Sequence, residues 1–185
     1  MFTLAVTGHR PKHLWGYASW DPYNPLIDWI HDFIVDKARA HGGLRLVTGG
    51  AQGCDQCAFW AGLFARRELA LDGIPVVLSC YLPFPNQDNR WDEKGLFGRR
   101  DFRGMLAAAD GVMYMRSNPS REAYLERDRA MVDAARDAAE GGLLLVVTPK
   151  DGIERSGTTA TAAYAERVGC PSIRLDPQTL ETVTQ

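Results

Sequence analysis

Short apolar runs alternate with segments of helical period along the whole chain of 185 residues. The runs are FTLAV (Phe2 to Val6), LRLV (Leu44 to Val47), IPVVLSCYL (Ile74 to Leu82), GVMYMR (Gly111 to Arg116), LLLVVT (Leu143 to Thr148) and PSIRL (Pro171 to Leu175). Runs this short, apolar at consecutive positions, suit strands buried on both faces. Between them, helices are expected over Pro25 to Ala40, Cys54 to Leu71, Phe97 to Ala109, Ser120 to Glu140 and the segment GTTATAAYAERV that opens at Gly157. In the first of these, Leu26, Ile27, Ile30, Phe33, Ile34 and Ala38 fall at helical spacing, with Pro25 in the first turn and Gly42-Gly43 as the stop. LLLVVT is the most hydrophobic strand and is expected to be central; DPQTLETV, after the last strand, is expected to add a turn of helix. Strand-helix alternation implies a parallel sheet with right-handed crossovers. The expected fold is α/β: a Rossmann-like three-layer domain, with a mostly parallel sheet and helices on both faces, covering residues 1–185 as one unit.

The bulk numbers narrow the function classes. The chain is 45% hydrophobic and 24% charged, with a net charge of -2. That is ordinary for a globular domain, and a slightly acidic chain is a poor general binder of nucleic acid. No apolar run approaches the roughly 20 residues of a membrane span, and the start MFTLAVTGHR has no basic n-region or cleavage site. A cytoplasmic location and no membrane partner are the expectations. Cys54 and Cys57 form a Cys-x-x-Cys pair, which suits redox chemistry or half a zinc site. Cys80 and Cys170 supply no second pair, so the favoured reading is small buried helix residues, with no metal and no cofactor.

In an open parallel sheet, ligands bind beyond the carboxyl ends of the strands, near a switch in strand order. The residues that follow the strands are therefore the candidates. After the first strand come Thr7, Gly8, His9 and Arg10, the last a fixed positive fork suited to phosphate. After the second come Thr48, Gly49, Gly50, Ala51 and Gly53, small residues able to aim backbone N–H groups at an anion where a helix begins. Asp55, one residue into that helix, fits a ribose hydroxyl or a cap better than a phosphate. After the fifth strand, RSGTTAT (Arg155 to Thr161) repeats the pattern with Ser156, Gly157 and Thr158, either as an anion site or as a simple N-cap.

The loop PFPNQDNRW offers Gln87, Asn89, Arg90 and Trp91, which suit a planar base or its ribose; an idle exposed loop would read the same way. On the helix YLERDRAMVD, Arg127 and Met131 share a face, and Tyr124 and Asp128, four apart, are placed to line a cleft. Glu126 and Arg129 read as a surface pair on another face. There is no G-x-S-x-G elbow and no Cys-His pair. Any catalysis would fall to a carboxylate acting as acid or base, Asp128 or Glu126.

Taken in order, AVTGHRP, LVTGGAQGCD, the P...Q..RW loop, LAAADGVMYM, ERDRAMVD and SGTTATAAYA resemble the YpsA-like branch of the SLOG superfamily, which also holds the LOG and DprA proteins. The resemblance runs over roughly residues 2 to 175. It implies a Rossmann-like fold that binds nucleotides or their derivatives, with a pocket at Gly49, Gly50, Gly53, Asp55, Ser156, Gly157 and Thr158, and a homo-oligomer. LOG proteins are phosphoribohydrolases with a P-G-G-x-G-T motif followed by glutamate. Here the matching stretch is IERSGTTAT, Ala160 and Thr161 stand where the acid is expected, and Glu166 is the next acid. DprA proteins act on single-stranded DNA, and the acidic charge argues against that partner here. The expected function is binding or sensing of a nucleoside phosphate or ADP-ribose-like molecule; the alternatives are an N-glycosidic hydrolase and single-stranded DNA binding.

Overall fold

Successive residues of a strand point to opposite faces, and in this sheet both faces meet helices. Leu4 and Val6 join one apolar cluster while Ala5, between them, joins the other. The computed structural model describes residues 1–149 and 156–184. The strands are β1 (Phe2–Gly8), β2 (Leu44–Thr48), β3 (Val76–Leu82), β4 (Gly111–Tyr114), β5 (Gly142–Val147), β6 (Ser172–Leu175) and β7 (Thr182–Thr184). The helices are α1 (Asn24–His41), α2 (Cys54–Leu69), α3 (Arg99–Ala108), α4 (Arg121–Arg136) and α5 (Gly157–Val168).

The sheet order is β4-β3-β2-β1-β5-β6-β7, parallel except for β7, which runs antiparallel to β6. This is the expected α/β, Rossmann-like arrangement. The chain steps outward from β1 to β4, then returns over the other face to lay β5 against the free side of β1. Strand order therefore switches between β1 and β5. Leu26, Ile30, Ile34, Phe59, Phe102 and Met105 place α1, α2 and α3 on one face; Met131, Val132, Ala135 and Ala165 place α4 and α5 on the other. Leu26, Ile30 and Ile34 repeat every four residues along α1 and are fully buried. Each contributes roughly 1.5–3 kcal/mol against exposure. LLLVVT forms β5, an interior strand, but the middle position belongs to β1.

Two segments differ most from the sequence expectation. The fourth helix begins as expected, with the Ser120 hydroxyl accepting the Ala123 N–H at 3.1 Å. It ends at Arg136 and not at Glu140, because the chain must turn back onto the helix end: a Cβ on Gly142 would run into the Ala135 carbonyl. The last segment is a hairpin and not a helical turn. Asp176 Oδ1 accepts the Gln178 N–H at 2.8 Å, and the Asp176 N–H donates to the Glu181 carbonyl at 3.0 Å. A side chain that captures local amides competes with helix, and Thr182, Val183 and Thr184 favour the strand that follows.

No helix among the described residues is long and apolar enough to cross a membrane.

Candidate functional site

The strand-order switch puts the ends of β1 and β5 side by side, with Gly8 opposite Val147. Just beyond, His9 Nε2 lies 2.9 Å from the Thr148 hydroxyl, both residues buried. Burial, reinforced by His13 and Arg174, lowers the His9 pKa to about 4, so the imidazole is neutral near pH 7. Gly8 is small because of its neighbours: a Cβ there would sit 2.5 Å from the Cys54 Cβ and 3.0 Å from the Val147 Cβ. Its missing side chain lets the first residue of α2 press against the end of β1.

The glycine turn after β2 follows the same logic. Gly53 has φ +94, and a Cβ on it would lie 2.6 Å from the His9 carbonyl. Gly50 has φ +65, and its Cβ would meet Leu82, Met105 and Phe102. A Cβ on Gly49 would collide with the Arg127 guanidinium. All three glycines are buried, and the turn satisfies its own groups: the Ala51 N–H donates to Asp55 Oδ2 at 3.2 Å, and Gln87 Nε2 donates to the Gly50 carbonyl at 3.2 Å. The backbone amide of Ala51, one natural anion donor of this turn, thus already faces a carboxylate.

Arg127 arrives from α4. Its Nη1 donates to the Gly49 carbonyl at 2.9 Å and pairs with Asp55 Oδ2 at 3.4 Å; its Nε lies 2.7 Å from Asp128 Oδ1. That last contact is a charge pair outside the N–H direction, so the buried Nε donates no hydrogen bond. Burial raises the Asp55 pKa to about 6 against the pull of Arg127 and the Ala51 amide. Burial raises Asp128 too, against Arg127 and the Thr161 hydroxyl. Across from Asp128 stands the start of α5: a Cβ on Gly157 would be 4.0 Å from Asp128 Oδ2. The Ser156 hydroxyl caps that helix, accepting the Thr159 N–H at 3.1 Å.

These groups enclose a cavity of about 560 Å³, lined by Thr7, Gly8, His9, Arg10, Lys12, His13, Ala51, Asp55, Tyr124, Arg127, Asp128, Ser156, Gly157 and Thr158. The size suits a small organic ligand. It brings together most of the residues singled out from sequence. Gly49, Gly50 and Gly53 lie beneath the lining as packing, and Gln87 props the turn from behind. Arg90 is exposed and does not line the cavity, and Glu126 is held by Arg116 in a two-bond pair at 2.8 and 2.5 Å outside it. Arg155 lies outside the described residues. Lys12 and His13 escaped the sequence reading, although the run Arg10-Pro-Lys12-His13 is a local basic cluster.

The remaining candidates are packing. Cys54, Cys57, Cys80 and Cys170 are all buried free thiols, and burial raises the pKa of each. Among the described residues, no three His, Cys, Asp or Glu side chains are grouped to hold a metal.

The profile of the YspA SLOG family matches residues 4–180. The chain belongs to that family. Among solved structures, this SLOG protein is similar to DNA processing protein A (DprA) from Streptococcus pneumoniae, with 17% identity and a TM-score of 0.59. The match covers 97% of this chain and 52% of that one, so the SLOG chain spans about half the length of that relative. A second similar structure is TM1055, a structural genomics target, at 11% identity and a TM-score of 0.49, covering 93% of this chain and 72% of that one. At 17% identity, DprA shares the fold and nothing more is carried over from it. No curated protein matches the chain.

Proposed function

We propose that the cavity binds a nucleoside phosphate or an ADP-ribose-like nucleotide derivative. One observation carries the reading: a single cavity at the strand-order switch is lined by Arg10 and Lys12 from the turn after β1 and by two carboxylates, Asp55 and Asp128, that share Arg127. A ligand with phosphate at one end and sugar hydroxyls in the middle matches that lining. The phosphate meets the basic cluster; the hydroxyls donate to the carboxylates. Thermal unfolding with AMP, ADP-ribose and NAD tests it. Binding to the folded state raises the midpoint with ligand concentration. No rise at millimolar nucleotide ends the reading.

A second reading is favoured by the carboxylates themselves. Asp55, with a pKa of about 6, is tuned toward proton transfer near neutral pH, and burial raises Asp128 beside it. Protonation of a leaving base and activation of water at the sugar would cleave an N-glycosidic bond. Chromatography of nucleotide incubations for released base tests it, and tight binding without release rejects it. Glu126, tied to Arg116 outside the cavity, is not part of this reading.

A homo-oligomer is also proposed, paired through β4. That strand closes the sheet with one side unpaired, and Val112, Met113 and Tyr114 are all exposed on it. An open edge with apolar side chains is a template for strand pairing.

A further inference from the structure

A second cavity, of about 380 Å³, opens between α1, α2 and α3, and shares no lining residue with the first. Its walls are the rings of Trp20, Trp60 and Phe64, and two carboxylates, Asp28 on α1 and Asp101 on α3, stand among them. No basic side chain lines it, and neither Asp28 nor Asp101 forms an ion pair among the described residues. The rings are held in place from behind. Trp20 packs edge-on against Phe97 at 4.6 Å between centroids, and Trp60 packs edge-on against Phe59 at 5.9 Å. α3 passes close over Trp60: a Cβ on Gly104 would stand in ordinary contact with the indole, at 3.6 Å. Phe64 is 46% exposed on α2, a large apolar ring left half in solvent.

The geometry points to a binding site for a small organic cation of the alkylated ammonium class. Aromatic faces carry negative potential, and a cation over them within about 6 Å is attracted, most strongly to indole. The two free carboxylates add charge of the same sign, so an anion is repelled and a neutral apolar ligand leaves them unused. A hydrated metal ion would lose water against indole rings that return no ligand atom. A weakly hydrated ammonium with apolar substituents satisfies rings and carboxylates together, and the cavity is large enough for one small molecule. Asp101 also favours the start of α3 by its charge, but Asp28 lies beyond the first turn of α1 and has no such duty.

The test is a choline titration at constant chloride, with sodium replaced by choline, followed by intrinsic tryptophan fluorescence. Its uncharged carbon analogue, 3,3-dimethylbutan-1-ol, is the control. Saturable binding of choline is expected, with the analogue about tenfold weaker or worse. Asp28→Asn, an exposed change that leaves the unfolding midpoint where it was, weakens choline by about threefold or more, and Trp60→Leu removes the signal. The inference is overturned by no saturation below about 100 mM choline, by equal affinity for the analogue, or by an unchanged affinity in Asp28→Asn.

Discussion

Arg127 on α4 reaches Asp55 on α2 across the carboxyl edge of the sheet, with Nη1 3.4 Å from Oδ2. The same guanidinium holds the Gly49 carbonyl and Asp128, so one largely buried cation serves two carboxylates, Asp55 buried and Asp128 partly so. Removing it leaves both acids without their shared cation. Breaking a buried pair in this way costs about 3–5 kcal/mol. Arg127→Ala should therefore lose about 3 kcal/mol in urea unfolding at pH 7. The double variant with Asp55→Asn should recover about 1 kcal/mol or more of it. A single-variant loss below about 1 kcal/mol would show that the three charges are solvated independently.

Asp55 and His9 give stability opposite slopes with pH. The Asp55 pKa is higher folded, about 6, than its ordinary 3.8. Its contribution is fully present below pH 3.8 and is lost as pH rises through 6. The His9 pKa is lower folded, about 4, than its ordinary 6.5. Its contribution is present above 6.5 and is lost as pH falls through 4. The two trends partly cancel in the native protein. Asp55→Asn removes one of them, so its stability relative to the native chain should rise by up to about 3 kcal/mol between pH 4 and 7. Denaturant titrations at both pH values check this; a flat difference would place the Asp55 carboxylate near its ordinary pKa.

The interior strands β1, β2, β3 and β5 were legible because they are mostly apolar at consecutive positions, as a strand covered on both faces requires, whereas β4 is apolar in sequence yet exposed at the sheet edge. The end of α4 was not, because it is set by Gly142 backing onto the Ala135 carbonyl, a contact between segments. The last strand was hidden by Asp176, whose side chain decides locally between turn and helix. At the site, the rule that ligands gather where strand order switches led to turns that line one cavity. The sequence presents Gly49, Gly50 and Gly53 as a cradle for an anion; only the packed structure shows that neighbouring protein atoms fill the space a Cβ would take. Arg127 was masked for a related reason. The sequence sets it on the face of Met131, apart from the surface pair Glu126 and Arg129, but only the packing of α4 against β1 shows that its head group reaches Gly49 and Asp55.

The glycines of the turn should separate stability from binding. Gly53→Ala forces a Cβ to 2.6 Å from the His9 carbonyl at φ +94, and backbone cannot move aside cheaply. It should destabilise by about 2 kcal/mol or more. Gly49→Ala displaces only the end of the Arg127 side chain and the Asp55 carboxylate. It should keep more of the stability and lose nucleotide binding. Thermal unfolding with and without ADP-ribose measures both; equal destabilisation by the two substitutions would contradict the assignment.

The open edge of β4 gives a test of assembly. Met113 is 49% exposed and Tyr114 45%, beside unpaired backbone groups. A lysine in such an edge blocks strand pairing without touching the core. Met113→Lys should shift light-scattering mass from oligomer to monomer while the unfolding midpoint of the fold itself changes little. A native chain that is already monomeric at high concentration would reject pairing through β4.

The lining of the cavity predicts which part of a ligand each variant affects. Arg10 is exposed on the turn after β1, whereas Asp128 is largely buried opposite α5. If Arg10 meets phosphate, Arg10→Ala should weaken ADP-ribose and AMP but leave adenosine unaffected, and the loss should shrink with added salt as exposed charges are screened. If Asp128 accepts a sugar hydroxyl, Asp128→Asn should weaken all three by a similar factor, of about 5 to 20, with little salt dependence. Substituting 2′-deoxy ligands should then cost the native protein affinity and cost Asp128→Asn less, because the partner of the missing hydroxyl has already been altered. Calorimetric titration of the three ligands against the two variants supplies the comparison. The opposite pattern, with Asp128→Asn sensitive to phosphate and Arg10→Ala to the sugar, would reverse the ligand in the cavity while keeping the cavity as the site.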